Sequence, residues 1–153
     1  MTASRYRVDV DPHTAAGSAF VIIGGLVAAV AGPLDLTKGS WLAAYLVLVC
    51  GVALIVIGAA QQHLTTAIRA RTRVWQLAGW GVANALVIVG SLASVPLVTD
   101  AGSVLLFATL AVTAWTAWPL LRTRRTAAFV YVAVLIVLAV SVPIGSVLAH
   151  ARA

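Results

Sequence analysis

Three histidines are the residues of this chain best suited to ligand chemistry, because a neutral imidazole binds metals and haem iron. His13 and His63 fall at one predicted membrane surface, and His150 falls at the opposite one. A haem held by two histidines would therefore use His13 and His63, the candidate cofactor ligands of this chain. His63, however, lies about 120° from the small-residue face of its own helix at 100° per residue. Helix geometry thus gives the pair no support, and two ordinary interfacial histidines are the simpler interpretation.

The remaining reactive residues do not form a catalytic pattern. Cys50 lies in the middle of an apolar run and is the only cysteine, so it indicates a packing residue rather than a disulfide or metal ligand. The four acidic residues fall in predicted loops or tails, and no predicted span carries an ionisable residue at its centre. Ion-coupled transport and acid–base or nucleophilic catalysis normally need such groups. We therefore expect no enzyme and no metal site.

A stripe of polar residues on the third predicted span is the most distinctive intramembrane feature. Its members fall within an arc of about 80° and must find hydrogen-bond partners among other helices. Hydroxyl groups recur on one face of the fourth span, and we expect the two faces to meet. The simpler interpretation is helix packing; the alternative is a polar lining for a ligand, a haem edge or a neutral solute. The stripe and the hydroxyl face comprise Gln76, Trp80, Asn84, Ser91, Thr109, Thr113 and Thr116.

These residues are distributed over long apolar runs that predict transmembrane helices. Of the 153 residues, 62% are hydrophobic and 9% are charged, whereas a soluble domain carries about 25% charged residues. A run of about twenty apolar residues is what a helix needs to cross the hydrocarbon core. The sequence therefore predicts an all-α integral membrane bundle, a single domain with five transmembrane helices. The predicted spans are residues 14–31, 41–60, 75–98, 103–121 and 127–148.

Local signals set the predicted helix ends. Asp11 and Pro12 are typical of an N-cap and a first helical residue. Residues 61–74 contain good helix formers, so the second and third spans should continue as helix beyond the membrane surface. Residues 99–102 are predicted to form the tight turn between the third and fourth spans. An alternative for the first span is a signal peptide cleaved after residues 29–31, which would leave four spans.

Basic residues predict the orientation of the bundle. Eight of the ten Lys and Arg residues fall in the N-terminal tail, the 61–74 connection and the 122–126 connection, all on one side. The positive-inside rule places that side in the cytoplasm, with the N-terminus inside and the C-terminus outside. These loops indicate contact with anionic lipid or an acidic partner rather than nucleic acid. The arginines concerned are Arg69, Arg71, Arg73, Arg122, Arg124 and Arg125.

The first two spans carry small residues at roughly seven-residue spacing, which favours close, shallow helix crossings. They are Gly17, Gly24, Ala28 and Ala31 on the first span and Ala44, Gly51, Gly58 and Gln62 on the second.

We therefore expect a non-catalytic accessory subunit or assembly factor of a larger membrane complex, with lipid and other membrane subunits, or further copies of itself, as partners. A respiratory complex is one possible host. A haem-binding protein and a small permease or channel for a neutral solute are the alternatives. The prevalence of Arg over Lys and of Ala and Val suggests a bacterial cytoplasmic membrane.

Overall fold

The chain is a helical membrane bundle in a computed structural model that describes residues 11–64, 70–117, 132–138 and 140. No β-strand occurs in these residues, which confirms the predicted all-α class. Four helices within them are long and apolar enough to cross a membrane. Each consists of at least 20 residues, about 30 Å of helix at 1.5 Å per residue.

The first helix, α1 (Pro12–Ala31), begins where the sequence predicted. The Asp11 carboxylate accepts hydrogen bonds from the backbone N–H groups of His13 and Thr14, at 3.0 and 3.3 Å. Pro12 then fits the first turn, because N–H groups there have no acceptor within the helix and proline, which lacks an N–H, loses no bond. The helix therefore starts at a cap that is itself buried, since Asp11 is only 5% exposed.

The second membrane-spanning helix has three parts: α2 (Gly39–Tyr45), a π-helical segment (Leu46–Val52) and α3 (Ala53–Leu64). We call it the α2–α3 rod. A π-helix has more residues per turn than an α-helix, so it changes which side chains share a face. Ala43, rather than the predicted Ala44, is therefore buried on the side of Gly51. The sequence carries no recognised signal for this segment.

The third and fourth spans form a helical hairpin of α4 (Ala70–Ala93) and α5 (Pro96–Ala117). The turn is at Ser94 and Val95, so the turn predicted at residues 99–102 is wrong. Ser94 has a φ of 54°, and the Val95 N–H bonds to the Gly90 carbonyl, the Schellman pattern that ends α-helices.

Pro96 is consequently the first residue of α5 rather than near the end of the preceding span, as predicted. The fourth span accordingly begins at Pro96 instead of residue 103. The helix-start preference of proline outweighed the turn preference of the Asp and Gly residues that follow it. Asp100, predicted in a loop, lies inside α5.

Small residues pack α1 against the α2–α3 rod. A Cβ atom added to Gly17 would lie 2.7 Å from the Gly51 carbonyl oxygen, and one added to Gly24 would lie 3.0 Å from the Ala43 carbonyl oxygen. The predicted small-residue packing is therefore present within the chain. Three predicted members of these faces are instead exposed: Ala28, Ala44 and Gln62. The π-helical segment accounts for Ala44.

The hydrophobic core joins the rod to the α4–α5 hairpin. Leu54 of α3, Trp80 of α4 and Leu106 of α5 lie in one buried cluster. Residues 132–138 are helical and contribute Leu135 and Leu138 to the same cluster. They lie within the predicted fifth span, most of which falls outside the described residues.

Candidate functional site

The polar face of α4 is bonded to α1 and the α2–α3 rod at four levels, and we call this set of contacts the α4 seam. The contacts are made by Arg73, Gln76, Asn84 and the C-terminal residues 91–94. From residue 73 to residue 91 a helix rises about 27 Å, close to the thickness of the hydrocarbon core. The seam thus extends along the whole membrane-spanning length of α4.

At the first level, Arg73 meets the N-cap of α1. Its Nη1 lies 3.4 Å from Asp11 Oδ1, while Asp11 Oδ2 caps the helix. Gly58 of α3 provides the space for this contact, because a Cβ there would lie 2.7 Å from Asp11 Oδ2. The Asp11 side chain is buried, and the Arg73 side chain is 26% exposed. We call Asp11, His13 and Arg73 the polar corner.

His13 completes the polar corner and has an unusual environment. The residue is 1% exposed, and neither ring nitrogen has a hydrogen-bond partner in the described structure. Its Nδ1 lies 3.7 Å from Asp11 Oδ2, beyond hydrogen-bond distance. A buried polar group without a partner is costly and calls for an explanation. The predicted interfacial histidine is therefore a buried side chain next to an ion pair.

At the second level, two amides join α3 to α4. Gln61 Nε2 donates to Gln76 Oε1 at 3.0 Å, and both residues are buried. Gln61 lies one turn beyond Gly58, and Gln76 lies one turn beyond Arg73. The amide pair therefore bonds α3 to α4 within one turn of Gly58 and Arg73, the α3 and α4 residues that meet Asp11.

At the third level, Asn84 binds two partners. Its Oδ1 accepts from the Tyr45 hydroxyl at 2.9 Å, and its Nδ2 donates to the Trp80 carbonyl oxygen at 2.8 Å. Tyr45 is the last residue of α2, directly before the π-helical segment, and stacks on Trp41 with ring centroids 5.3 Å apart. The buried Trp80 Nε1 has no partner in the described structure. Asn84 thus makes the bonds expected of a packing residue.

At the fourth level, Lys38 binds the C-terminus of α4. Its Nζ donates to the Ser91 carbonyl at 2.6 Å, the Leu92 carbonyl at 3.4 Å and the Ser94 hydroxyl at 2.9 Å. The last carbonyls of a helix have no partner within it and carry partial negative charge, so a lysine is well suited to them. Lys38 lies at the end of the link between α1 and α2, so these bonds join that link to the C-terminus of α4.

The predicted polar stripe on α4 lies in this seam, with Gln76 and Asn84 bonding through their side chains and Trp80 and Ser91 through their backbone carbonyls. The threonines of α5 behave differently. Thr109 and Thr113 donate to carbonyls one turn earlier in their own helix, at 2.8 and 2.7 Å. The two faces do meet, since a Cβ at Gly79 would lie 3.0 Å from the Thr109 hydroxyl oxygen. The Thr116 side chain lies outside what the structure describes.

The other predicted site residues are only partly placed. Arg71 is exposed at the start of α4. His63 belongs to α3, but its side chain is outside the described part of the structure, so the His13–His63 haem pair stays a prediction. Arg69 and the arginines of the 122–126 connection also lie outside it.

Sequence reasoning missed four members of the seam: Asp11, Lys38, Tyr45 and Gln61. Asp11 was predicted as a cap, but nothing in the sequence indicates that Arg73 would reach it. Lys38 was counted as a loop charge. Their spacing from their partners, from 15 residues for Gln61 to 62 for Asp11, removes any local periodic signal. One signal could have found these four residues: isolated polar residues on different spans that are predicted to lie at the same depth in the membrane can be paired with each other.

The chain has no significant similarity to a known protein family, to a curated protein or to a solved structure. Its function has to be inferred from the seam and the surfaces around it.

Proposed function

We propose that this protein is a non-catalytic membrane subunit, an accessory component or assembly factor that associates with a larger membrane complex. The α4 seam is the observation that carries the proposal. Its amide, hydroxyl and ammonium groups bond to one another or to backbone carbonyls, which is the use expected of groups that fix helix packing. In a permease or channel, such groups would instead line a pore or cavity through which the solute passes.

The outer surface of the bundle is consistent with this role. Large apolar side chains are directed outward along the spans, including Leu97 at 80% exposed and Trp115 at 82%. In a membrane such surfaces contact lipid tails or the helices of other subunits equally well, because both are apolar. The protein accordingly has an interior in which the polar groups of the α4 seam are bonded to one another or to backbone carbonyls, and an apolar exterior on which the helices of other subunits can pack.

Purification in a mild detergent at native expression level tests the proposal. We expect one or more membrane proteins to copurify in fixed stoichiometry, and crosslinks to map to exposed positions of the spans. A control purification after raising the detergent strength should release the partners while the chain keeps its helical content. A homogeneous monomer with no stoichiometric companion, from membranes crosslinked before extraction, would contradict the proposal.

Haem binding is the second candidate, because both ring nitrogens of the buried His13 lack partners among the residues that the structure describes. The Arg73 cation in the same polar corner weighs against it, since it disfavours a metal cation nearby. An absorption spectrum of protein expressed with adequate haem decides the matter. A Soret band that disappears in His13→Ala and in His63→Ala would support haem binding.

A small permease for a neutral solute is a third possibility, and the bonds of Asn84 weigh against it. Liposome flux that Asn84→Leu abolishes would be required for that function.

We further propose that the protein resides in a bacterial cytoplasmic membrane with five spans and the N-terminus inside. The distribution of Lys and Arg supports the orientation.

A further inference from the structure

We propose that His13 is a proton-responsive switch: when its imidazole is protonated, it takes Asp11 away from Arg73 and opens the junction between α1 and α4. The inference is independent of which complex the protein joins. It rests on the geometry of the polar corner, where one carboxylate lies between a guanidinium and an imidazole.

The charged groups that act on His13 in the described structure are Asp11 and Arg73. Asp11 precedes α1 and Arg73 belongs to α4, while Gly58, the α3 residue packed against this corner, is uncharged. With a neutral imidazole, one anion is balanced by one cation. A proton on His13 adds a second cation, so two positive groups then compete for one carboxylate.

The distances show that neither the guanidinium nor the imidazole is tightly bonded to the carboxylate. The Arg73 contact of 3.4 Å is long for a charge-assisted hydrogen bond, which is usually about 2.7–2.9 Å. His13 Nδ1 lies 3.7 Å from the other oxygen and needs to approach by somewhat less than 1 Å to bond.

Burial decides which of the two cations keeps the carboxylate. His13 is 1% exposed, so its imidazolium cannot reach water without moving the helix. The Arg73 side chain is 26% exposed and can turn toward solvent. An unpaired buried charge costs far more than an exposed one. The protonated histidine therefore retains Asp11, and Arg73 is released.

Release of Arg73 has a structural consequence. Asp11–Arg73 is the contact by which the start of α1 is bonded to the start of α4, whereas the Gln61–Gln76 pair joins α3 to α4. Protonation should therefore loosen the first turn of α4 and the beginning of α1 relative to each other. The levels of the seam at Asn84 and at Lys38 should remain closed.

Distance measurements between spin labels in lipid nanodiscs test the switch. In a Cys50→Ala background, the exposed positions Ala15 and Val74 are changed to cysteine and labelled. Lowering the pH from about 8 to about 5 spans the range in which histidine ordinarily titrates. We expect a second, longer distance population at low pH. A second label pair, between Thr37 and Leu92, reports the Lys38 end and should not change.

Two variants and one direct measurement keep the result falsifiable. His13→Gln, which cannot be protonated, should show the short distance at both pH values. Arg73→Gln should show the longer distance between the labels at positions 15 and 74 at both pH values. The ¹⁵N shifts of the wild-type imidazole, assigned by comparison with His13→Gln, report protonation itself. An imidazole that stays neutral down to about pH 5, or one that gains a proton without a distance change, overturns the proposal. An unaltered pH response in His13→Gln also overturns it.

Discussion

Asn84 is an amide buried in the apolar part of the bundle, and the contribution of its two hydrogen bonds to the stability of the bundle can be measured. In lipid, an interhelical hydrogen bond contributes about 0.6 kcal/mol on average, because the separated helices find other partners. The Tyr45 hydroxyl is its interhelical partner, while the Trp80 carbonyl is on its own helix. Only the first of these bonds joins α2 to α4.

We predict that Tyr45→Phe and Asn84→Leu each destabilise the bundle by about 0.5–1.5 kcal/mol. Because they remove the same bond, their effects should not be additive, and the coupling energy should be about 0.6 kcal/mol. Reversible unfolding in mixed micelles measures all four free energies of the cycle. Strictly additive effects would show that the Tyr45–Asn84 bond does not contribute.

Two glycines of α1 form a matched pair for testing the close helix contact. A Cβ at Gly17 would lie 2.7 Å from the Gly51 carbonyl oxygen, whereas one at Gly25 would meet nothing within 4 Å. Gly17→Ala should therefore destabilise by about 1–3 kcal/mol through overpacking. Gly25→Ala should stabilise by about 0.5–1 kcal/mol, since alanine favours helix more than glycine does. Equal effects in the same unfolding assay would contradict the described α1–rod contact.

At the scale of the helices, α4 depends on contacts at both ends. Its N-terminal turn meets the polar corner, and its last carbonyls accept from Lys38. The helix ends in a Schellman turn at Ser94, a non-glycine residue with positive φ. Lys38 also donates to the Ser94 hydroxyl, which helps hold that conformation.

We predict that Lys38→Met destabilises the bundle by about 1 kcal/mol, because it removes a cation from a helix C-terminus. Arg71→Met is the control: this cation lies at the N-terminal end of the same helix, where the dipole disfavours it. Its removal should be neutral or slightly stabilising. If Lys38 acts through its charge, the difference in unfolding free energy between the two variants should shrink as the salt concentration rises. A loss of stability shared by both variants would indicate a general effect of basic residues.

The helices themselves could largely be predicted from the sequence, because apolar length and the Asp11–Pro12 cap are local signals. The α4–α5 turn could not, since Asp100 and Gly102 give a turn signal as strong as that of Ser94 and Pro96. The π-helical segment has no sequence rule that distinguishes it from a continuous helix. The polar stripe of α4 was predictable from periodicity, whereas its partners depend on which helices become neighbours.

For the whole molecule, the side of the membrane on which the polar corner lies determines which compartment's pH His13 senses. The positive-inside distribution predicts that the start of α4 faces the cytoplasm and the Lys38 link faces the outside. The order of the helices along the chain requires only that these two places lie on opposite sides.

We predict that Arg71→Cys is labelled by a membrane-impermeant reagent in inverted vesicles but not in intact cells. Thr37→Cys, an exposed residue of the α1–α2 link, should give the opposite pattern. Both variants are made in the Cys50→Ala background to avoid reaction at the native cysteine. Labelling of Arg71→Cys in intact cells would reverse the proposed orientation. Labelling of both variants from one side would contradict the membrane-spanning arrangement itself.

The reach of Lys38 across to α4 also bears on how the protein is made. When the first two spans enter the membrane, the helix end that Lys38 binds has not yet followed them, because it closes the third span. The amine must stay hydrated at the membrane surface until the third span emerges and its final carbonyls arrive beside it. The first half of the bundle is thus completed only when the third span is inserted, and we expect a chain truncated before residue 91 to be a target for membrane quality-control proteases.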